Sequence, residues 1–168
     1  MIKILISACL EGQPVRYDGK ANGVEAKVWQ KWQDEGRLIS LCPEVAGGLE
    51  TPRAPAEIIS DAQSPNHLQV ITIEGENVTK AFKKGAQIAV DIALKEEIKI
   101  AILKAKSPSC GNQQIYDGSF SDTKIVGQGI TASSLSKLNI KIFNEHQLSE
   151  AEDYLKQLEE ASQQASAV

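Results

Sequence analysis

The chain has no Cys-x-x-Cys pair and only two histidines. Its apolar runs are all shorter than the roughly 18–20 residues that a membrane span needs. The missing Cys-x-x-Cys argues against a thioredoxin-like dithiol and against a zinc ribbon. Neither His67 nor His146 stands at a metal-ligand spacing from a cysteine or from the other, so both read as surface residues. Aromatics are few, at 5%. Trp29 and Trp32 fall in a helical pattern and read as packing residues rather than a base-stacking platform. There is no excess of positive charge. The net charge of −4 leaves no global basic footprint for nucleic acid. A noncatalytic module that grips thiolated RNA through Arg16, Arg53, Lys104 and Lys106 is therefore disfavoured. The N-terminal apolar stretch is short and leads into a motif rather than a small-residue cleavage site, which argues against a secretory signal. A cytoplasmic setting is expected, where thiols stay reduced and available for metal or redox work.

What remains is an ordinary globular composition, 42% hydrophobic and 24% charged in 168 residues. That length fits one domain with a sizeable core. Residues 1–161 read as that domain and 162–168 as a frayed tail. Ile2–Ser7, Arg37–Leu41, Lys99–Leu103 and Ile140–Phe143 read as buried strands. Leu68–Ile73 reads as a further strand, turned back by Glu74–Gly75. Helices are expected from Val24 to Glu35, stopped by Gly36, and from a Thr79 cap to Glu97, with Phe82, Ala86, Ala89 and Ala93 on one face. A short helix is expected over Ile130–Leu138, ended by Asn139. The last helix runs from a Ser149–Glu152 capping box to Ala161. Residues 43–56, rich in glycine and proline, read as an ordered loop that opens a short helix; the alternative there is a plain turn with Glu57 as a helix-start carboxylate. Strand and helix alternate, which predicts a three-layer α/β domain with one mostly parallel sheet.

The chemistry gathers at three cysteines. Cys9, Cys42 and Cys110 each follow a predicted strand and adjoin a loop. Neighbouring parallel strands would bring them to one sheet edge, where α/β sheets bind ligands. An odd count placed this way suggests a shared site rather than a disulfide framework. Around Cys9, in CLEGQPVRYDG, Arg16 and Tyr17 offer a cation and a phenol to an anionic substrate group. The alternative there is an Arg16–Asp18 surface turn closed by Gly19. Around Cys42, in CPEVAGGLETPRAPAE, Glu44 is placed for general acid–base work. Gly47–Gly48 allows close backbone approach, and Arg53 sits in a proline-stiffened binding loop. Around Cys110, in KAKSPSCG, Ser107 and Ser109 offer hydroxyls, and Lys104 and Lys106 offer positive charge. Asp117–Gly118 reads as a turn. Three thiolates without a fourth ligand suit an open metal position, and zinc and iron both remain open on spacing alone.

These segments, followed by GQGITASSL, resemble the thiouracil desulfidase family over residues 2–145. The resemblance implies a Rossmann-like fold. It also implies a 4Fe–4S cluster on Cys9, Cys42 and Cys110 with one iron not bound by protein. Glu44 then corresponds to the catalytic carboxylate and Ser107 to the catalytic serine, with Ser109 close by. Arg16, Tyr17, Arg53 and Ser109 become substrate contacts. The implied reaction removes sulfur from a thiolated uracil or its nucleotide, by a hydrolytic or lyase-type, non-redox route. Two positions depart from the family pattern. Glu11 stands where leucine is usual, and Glu50 where a proline or small residue is usual. The competing reading is a metal-free thiol redox or sulfur-carrier protein.

Overall fold

The computed structural model describes residues 1–61 and 64–167. The strands are β1 (Ile4–Ser7), β2 (Leu38–Leu41), β3 (Ala56–Asp61), β4 (Ser64–Thr72), β5 (Ile100–Leu103), β6 (Gln114–Tyr116), β7 (Lys124–Val126) and β8 (Lys141–Asn144). The helices are α1 (Lys27–Asp34), α2 (Pro43–Ala46), α3 (Thr79–Lys95), α4 (Ile130–Ser136) and α5 (Leu148–Ser166).

The central sheet has the order β2-β1-β5-β8 and is parallel throughout. β1 and β5 are central and wholly buried, so their near-continuous apolar sequence fits a sheet covered on both sides. Side chains alternate between the faces. Ile4, Ile6, Ile100 and Ile102 pack with Trp29 and Trp32 of α1 and Ala151 and Leu155 of α5. Leu5, Ala101 and Leu103 pack on the other face with Ala89 and Ala93 of α3 and Ala132 and Leu135 of α4. This is a three-layer α/β domain, and both tryptophans are core residues, as expected.

β1 is the first strand of the chain but sits inside the sheet. The chain runs outward from it to β2, then returns to place β5 on its other side. The strand order therefore reverses between β1 and β5, and ligands bind at such points in open α/β sheets.

Several boundaries differ from the sequence reading. Glu57 does not start a helix: it lies in β3, which pairs antiparallel with β4, Glu57 opposite Ile71. Alternation there is weak: Ile58 and Val70 pack with Val78, Phe82 and Ile115, while the apolar Ile59 and Leu68 are exposed. Glu74–Gly75 does turn the chain back, with Gly75 at φ 86° and Ile71 bridged to Asn77. Thr79 is not the α3 cap. Asn77 Oδ1 accepts the Thr79 amide at 3.0 Å, and Thr79 Oγ1 accepts the Val70 amide at 2.9 Å. The capping box of the last helix is not made, because that helix starts two residues earlier and has no side-chain cap at Gln147. It continues to Ser166, into the stretch read as a frayed tail. Gly36 and Asn139 end their helices at φ 66° and 58° as read. The hairpin β6–β7 has no counterpart in the sequence reading. Its strands are too short for a periodic signal, and their polar residues obscure one.

Candidate functional site at the carboxyl edge of the sheet

The register brings the three cysteines together. β1 pairs with β2 so that Ser7 lies opposite Leu41, and with β5 so that Ile6 lies opposite Ile102. Cys9 follows β1 in a short 3-10 turn, Cys42 follows β2 as the residue before α2, and Cys110 lies in the loop beyond β5. All three are free thiols and line one cavity of about 920 Å³. Among the described residues, no three His, Cys, Asp or Glu side chains converge closely enough to hold a single metal ion.

Each segment is held by its own backbone. The Cys9 carbonyl accepts the Asn22 amide at 2.8 Å and fixes the first loop. Within it, Arg16 pairs with Asp18 at 3.1 Å and also bonds Asn22 Oδ1 at 3.2 Å. Gly19 donates its amide to the Arg16 carbonyl. The surface turn and the cavity-facing arginine thus coexist, since Arg16 and Tyr17 both line the cavity.

The second segment depends on two glycines. A Cβ on Gly47 would lie 2.0 Å from the Ala81 carbonyl oxygen, and one on Gly85 would lie 1.9 Å from the Pro43 carbonyl oxygen. This close approach seats α2 on α3. Glu44 therefore projects from the first turn of a fixed helix into the cavity.

In the third segment, the Ser107 hydroxyl oxygen accepts the amides of Ser109 and Cys110, both at 3.1 Å. The Pro108 and Ser109 carbonyls accept the first amides of α4, from Ile130, Thr131 and Ala132. A Cβ on Gly129 would lie 2.4 Å from the Ser109 backbone. The GQGITASSL run therefore starts the helix that braces the Cys110 loop.

Two residues read as substrate contacts differ in their placement. Ser109 does not face the cavity: it is 1% exposed, and its hydroxyl bonds Thr131 Oγ1 at 2.8 Å. Arg53 does line the cavity, but its guanidinium bonds protein acceptors, including Glu44 Oε2 at 2.5 Å. Lys104 lines the cavity and pairs with the buried Glu145 behind it. Lys106 lines it too, in a left-handed conformation at φ 66°. His67 and His146 are exposed, as read.

Burial sets the state of the thiols. It raises Cys9 to about 11, opposed by the Lys104 charge and helped by Cys42 and Glu145. It raises Cys110 to about 12, opposed by a hydrogen bond from Ser7 and helped by Glu44, Cys9 and Cys42. Cys42 is raised as well, again by burial first, while the Val45 amide pulls the other way. Ser7 also lines the cavity, a position to which the sequence reading gives no role. It is 3% exposed, and its hydroxyl oxygen accepts the Lys104 amide at 2.9 Å. Its signal is a hydroxyl that ends an otherwise apolar buried strand at the sheet's carboxyl edge.

The chain is 37% identical over 150 residues to the uncharacterized protein YbbK of Bacillus subtilis (strain 168), covering 88% of this chain and 98% of that protein. Its structure is similar to that of the [4Fe-4S]-dependent thiouracil desulfidase TudS. That match has a TM-score of 0.86 and 42% identity, and spans 93% of this chain and 99% of that one. The family model for 2-thiouracil desulfurase matches residues 4–147, which contain every segment that builds the cavity. The chain belongs to the 2-thiouracil desulfurase family.

Proposed function

We propose that this protein is a desulfidase that exchanges the sulfur of a thiolated uracil for oxygen from water, releasing uracil and sulfide. Carbon keeps its oxidation state in that exchange, so no electron donor is required. The observation that carries the reading is one cavity whose lining includes three free thiols, the Glu44 carboxylate and the Ser107 hydroxyl.

The donor set suits an iron–sulfur cluster. Thiolates on one tetrahedral zinc, with bonds of about 2.3 Å, would have sulfurs roughly 3.8 Å apart. A cluster bonds each thiolate to a different iron and takes a wider set. Three free thiols on one cavity, each from a different segment, would supply one thiolate to each of three irons. Cys9, Cys42 and Cys110 would hold a 4Fe–4S cluster, leaving one iron without a protein ligand. When bound, that cluster supplies a thiophilic Lewis acid for the thiocarbonyl sulfur.

The chain's own groups do the rest. Glu44 takes the proton of the water that attacks the thiocarbonyl carbon and returns it as sulfur leaves. Ser107 has two amides on its oxygen, so its own proton points to an acceptor, the ring or the developing anion. Arg16 and Tyr17 contact the outer part of the substrate. The free thiols favour a reducing, cytoplasmic setting. Among the described residues, no helix is long and apolar enough to cross a membrane.

The test is Glu44→Gln in cluster-loaded protein. Lost acid–base catalysis lowers turnover of thiouracil about 10²–10⁴-fold with the cluster spectrum unchanged. Near-normal turnover removes Glu44 from the mechanism.

A further inference from the structure

Arg53 reaches three parts of the site from one position. Its Nη2 donates to Glu44 Oε2 at 2.5 Å and to the Val15 carbonyl at 3.0 Å. Its Nη1 donates to the Glu50 carbonyl at 3.0 Å and to Thr51 Oγ1 at 3.1 Å. Its backbone amide donates to the Tyr17 carbonyl at 2.8 Å. The Val15 carbonyl also receives the Cys42 thiol, at 3.8 Å. One guanidinium thus joins the loop after Cys9, the turn after Cys42 and its own loop.

We propose that Arg53 is a positioning residue for Glu44 rather than a substrate anchor. The inference rests on the desulfidase reading above. A substrate anchor needs donors aimed at the ligand, and both terminal nitrogens of Arg53 are engaged with protein oxygens. The side chain is 10% exposed and its partner Glu44 17%, so the pair is shielded from competing water. An anion arriving at Arg53 would have to displace the Glu44 carboxylate. A charge-assisted bond to one carboxylate oxygen stops that group from rotating and leaves the other oxygen for the cavity. The planar fork matters, because a lysine ammonium is a point charge that does not reproduce these fixed donor directions. The shared Val15 carbonyl sets Glu44 relative to Cys42, and so relative to the thiols.

The experiment compares wild type, Arg53→Gln, Arg53→Lys, Glu44→Gln and the Glu44→Gln/Arg53→Gln double variant. Each is loaded anaerobically with iron and sulfide, and iron content and absorbance are recorded. kcat and KM are then measured separately from sulfide release. Misplacing a catalytic group by about 1 Å costs up to about 10²-fold, so Arg53→Gln lowers kcat about 10- to 100-fold. Because the lost interaction is made in the transition state, KM stays within about threefold. Groups that act through one another are not additive, so the double variant is no slower than Glu44→Gln alone. Where Arg53→Gln holds less iron than wild type, Arg53→Lys carries the comparison and shows the same split in milder form. A KM raised about tenfold at preserved kcat marks a substrate anchor and overturns the proposal, by the usual reading of uniform binding. Losses that multiply in the double variant overturn it too. Cluster-loaded wild type that releases no sulfide overturns the desulfidase reading itself, an outcome no variant comparison can mimic.

Discussion

Ser107 Oγ accepts the backbone amide of Cys110 at 3.1 Å, so the hydroxyl that faces the cavity also sets the turn that presents the third thiol. The amide of Ser109 approaches the same oxygen. With its lone pairs engaged, the hydroxyl is a polarised donor toward the cavity.

Ser107→Ala therefore removes a donor to the developing anion. It lowers kcat for thiouracil about 10²–10³-fold, the usual cost of one such donor. Ser109→Ala leaves kcat nearly unchanged. It strands Thr131 Oγ1 and costs stability of about 1–3 kcal/mol, as an unmet buried hydroxyl does. Sulfide release and urea unfolding of the two variants separate the two roles.

Gly85→Ala tests whether the seat of α2 is as tight as its 1.9 Å clash implies. Backbone must shift, because the obstructing atom is the Pro43 carbonyl oxygen. Overpacking of this kind costs about 1–3 kcal/mol. The shift also moves Cys42 and Glu44, so iron content after reconstitution falls. Unchanged stability and iron content would show that α2 is not held by this contact.

Much of this site is legible in the sequence because the thiols follow strands. Strand ends are marked by where apolar runs stop, and a parallel sheet converts those ends into one edge. The residues KILIS, LISL and IAIL thus predict both the layers and the meeting of Cys9, Cys42 and Cys110. The close approach at Gly47 is legible for a similar reason, since glycine has no Cβ, whereas a Cβ on Gly48 would meet nothing within 4 Å. Other features depend on which way a side chain turns. Ser107 and Ser109 are two residues apart and chemically alike, yet one faces the cavity and the other faces Thr131. Arg53 reads as a substrate contact because its carbonyl acceptors on Val15 and Glu50 leave no trace in sequence. The β6–β7 hairpin is fixed partly from a distance, by Glu57 Oε1 accepting the amides of Gly118 and Phe120 at 3.0 and 3.2 Å.

Lys104→Met probes the ion pair behind Cys9. Glu145 is 6% exposed and also accepts the Ala105 amide at 2.8 Å. Removing its cation leaves a buried charge and costs up to about 3 kcal/mol in urea unfolding of metal-free protein. The Lys104→Met/Glu145→Gln double variant recovers most of that loss. In loaded protein, the lost positive charge beside Cys9 moves the cluster midpoint potential to more negative values.

Alkaline pH destabilises the metal-free chain. Burial raises Cys9 from its ordinary 9.0 to about 11 in the fold. Between those values the folded chain holds a proton that the unfolded chain has released. Stability is therefore fully present below pH 9 and falls as pH rises toward 11. Cys110, raised to about 12, acts in the same direction. Denaturant midpoints at pH 8, 9.5 and 10.5 (values chosen around that window) check the sign. A midpoint that rises with pH would contradict it. Cluster assembly must expel these protons, so iron is held more tightly at higher pH within the stable range.

The most direct measurement is sulfide release by the anaerobically reconstituted chain, with no reductant present, from 2-thiouracil, 4-thiouracil and their nucleosides and nucleotides. The account predicts an iron–sulfur absorbance that Cys42→Ala loses. It also predicts one sulfide and one uracil product for each substrate consumed. A chain that takes up no iron, or that loads a cluster and releases no sulfide from any of these substrates, would contradict it.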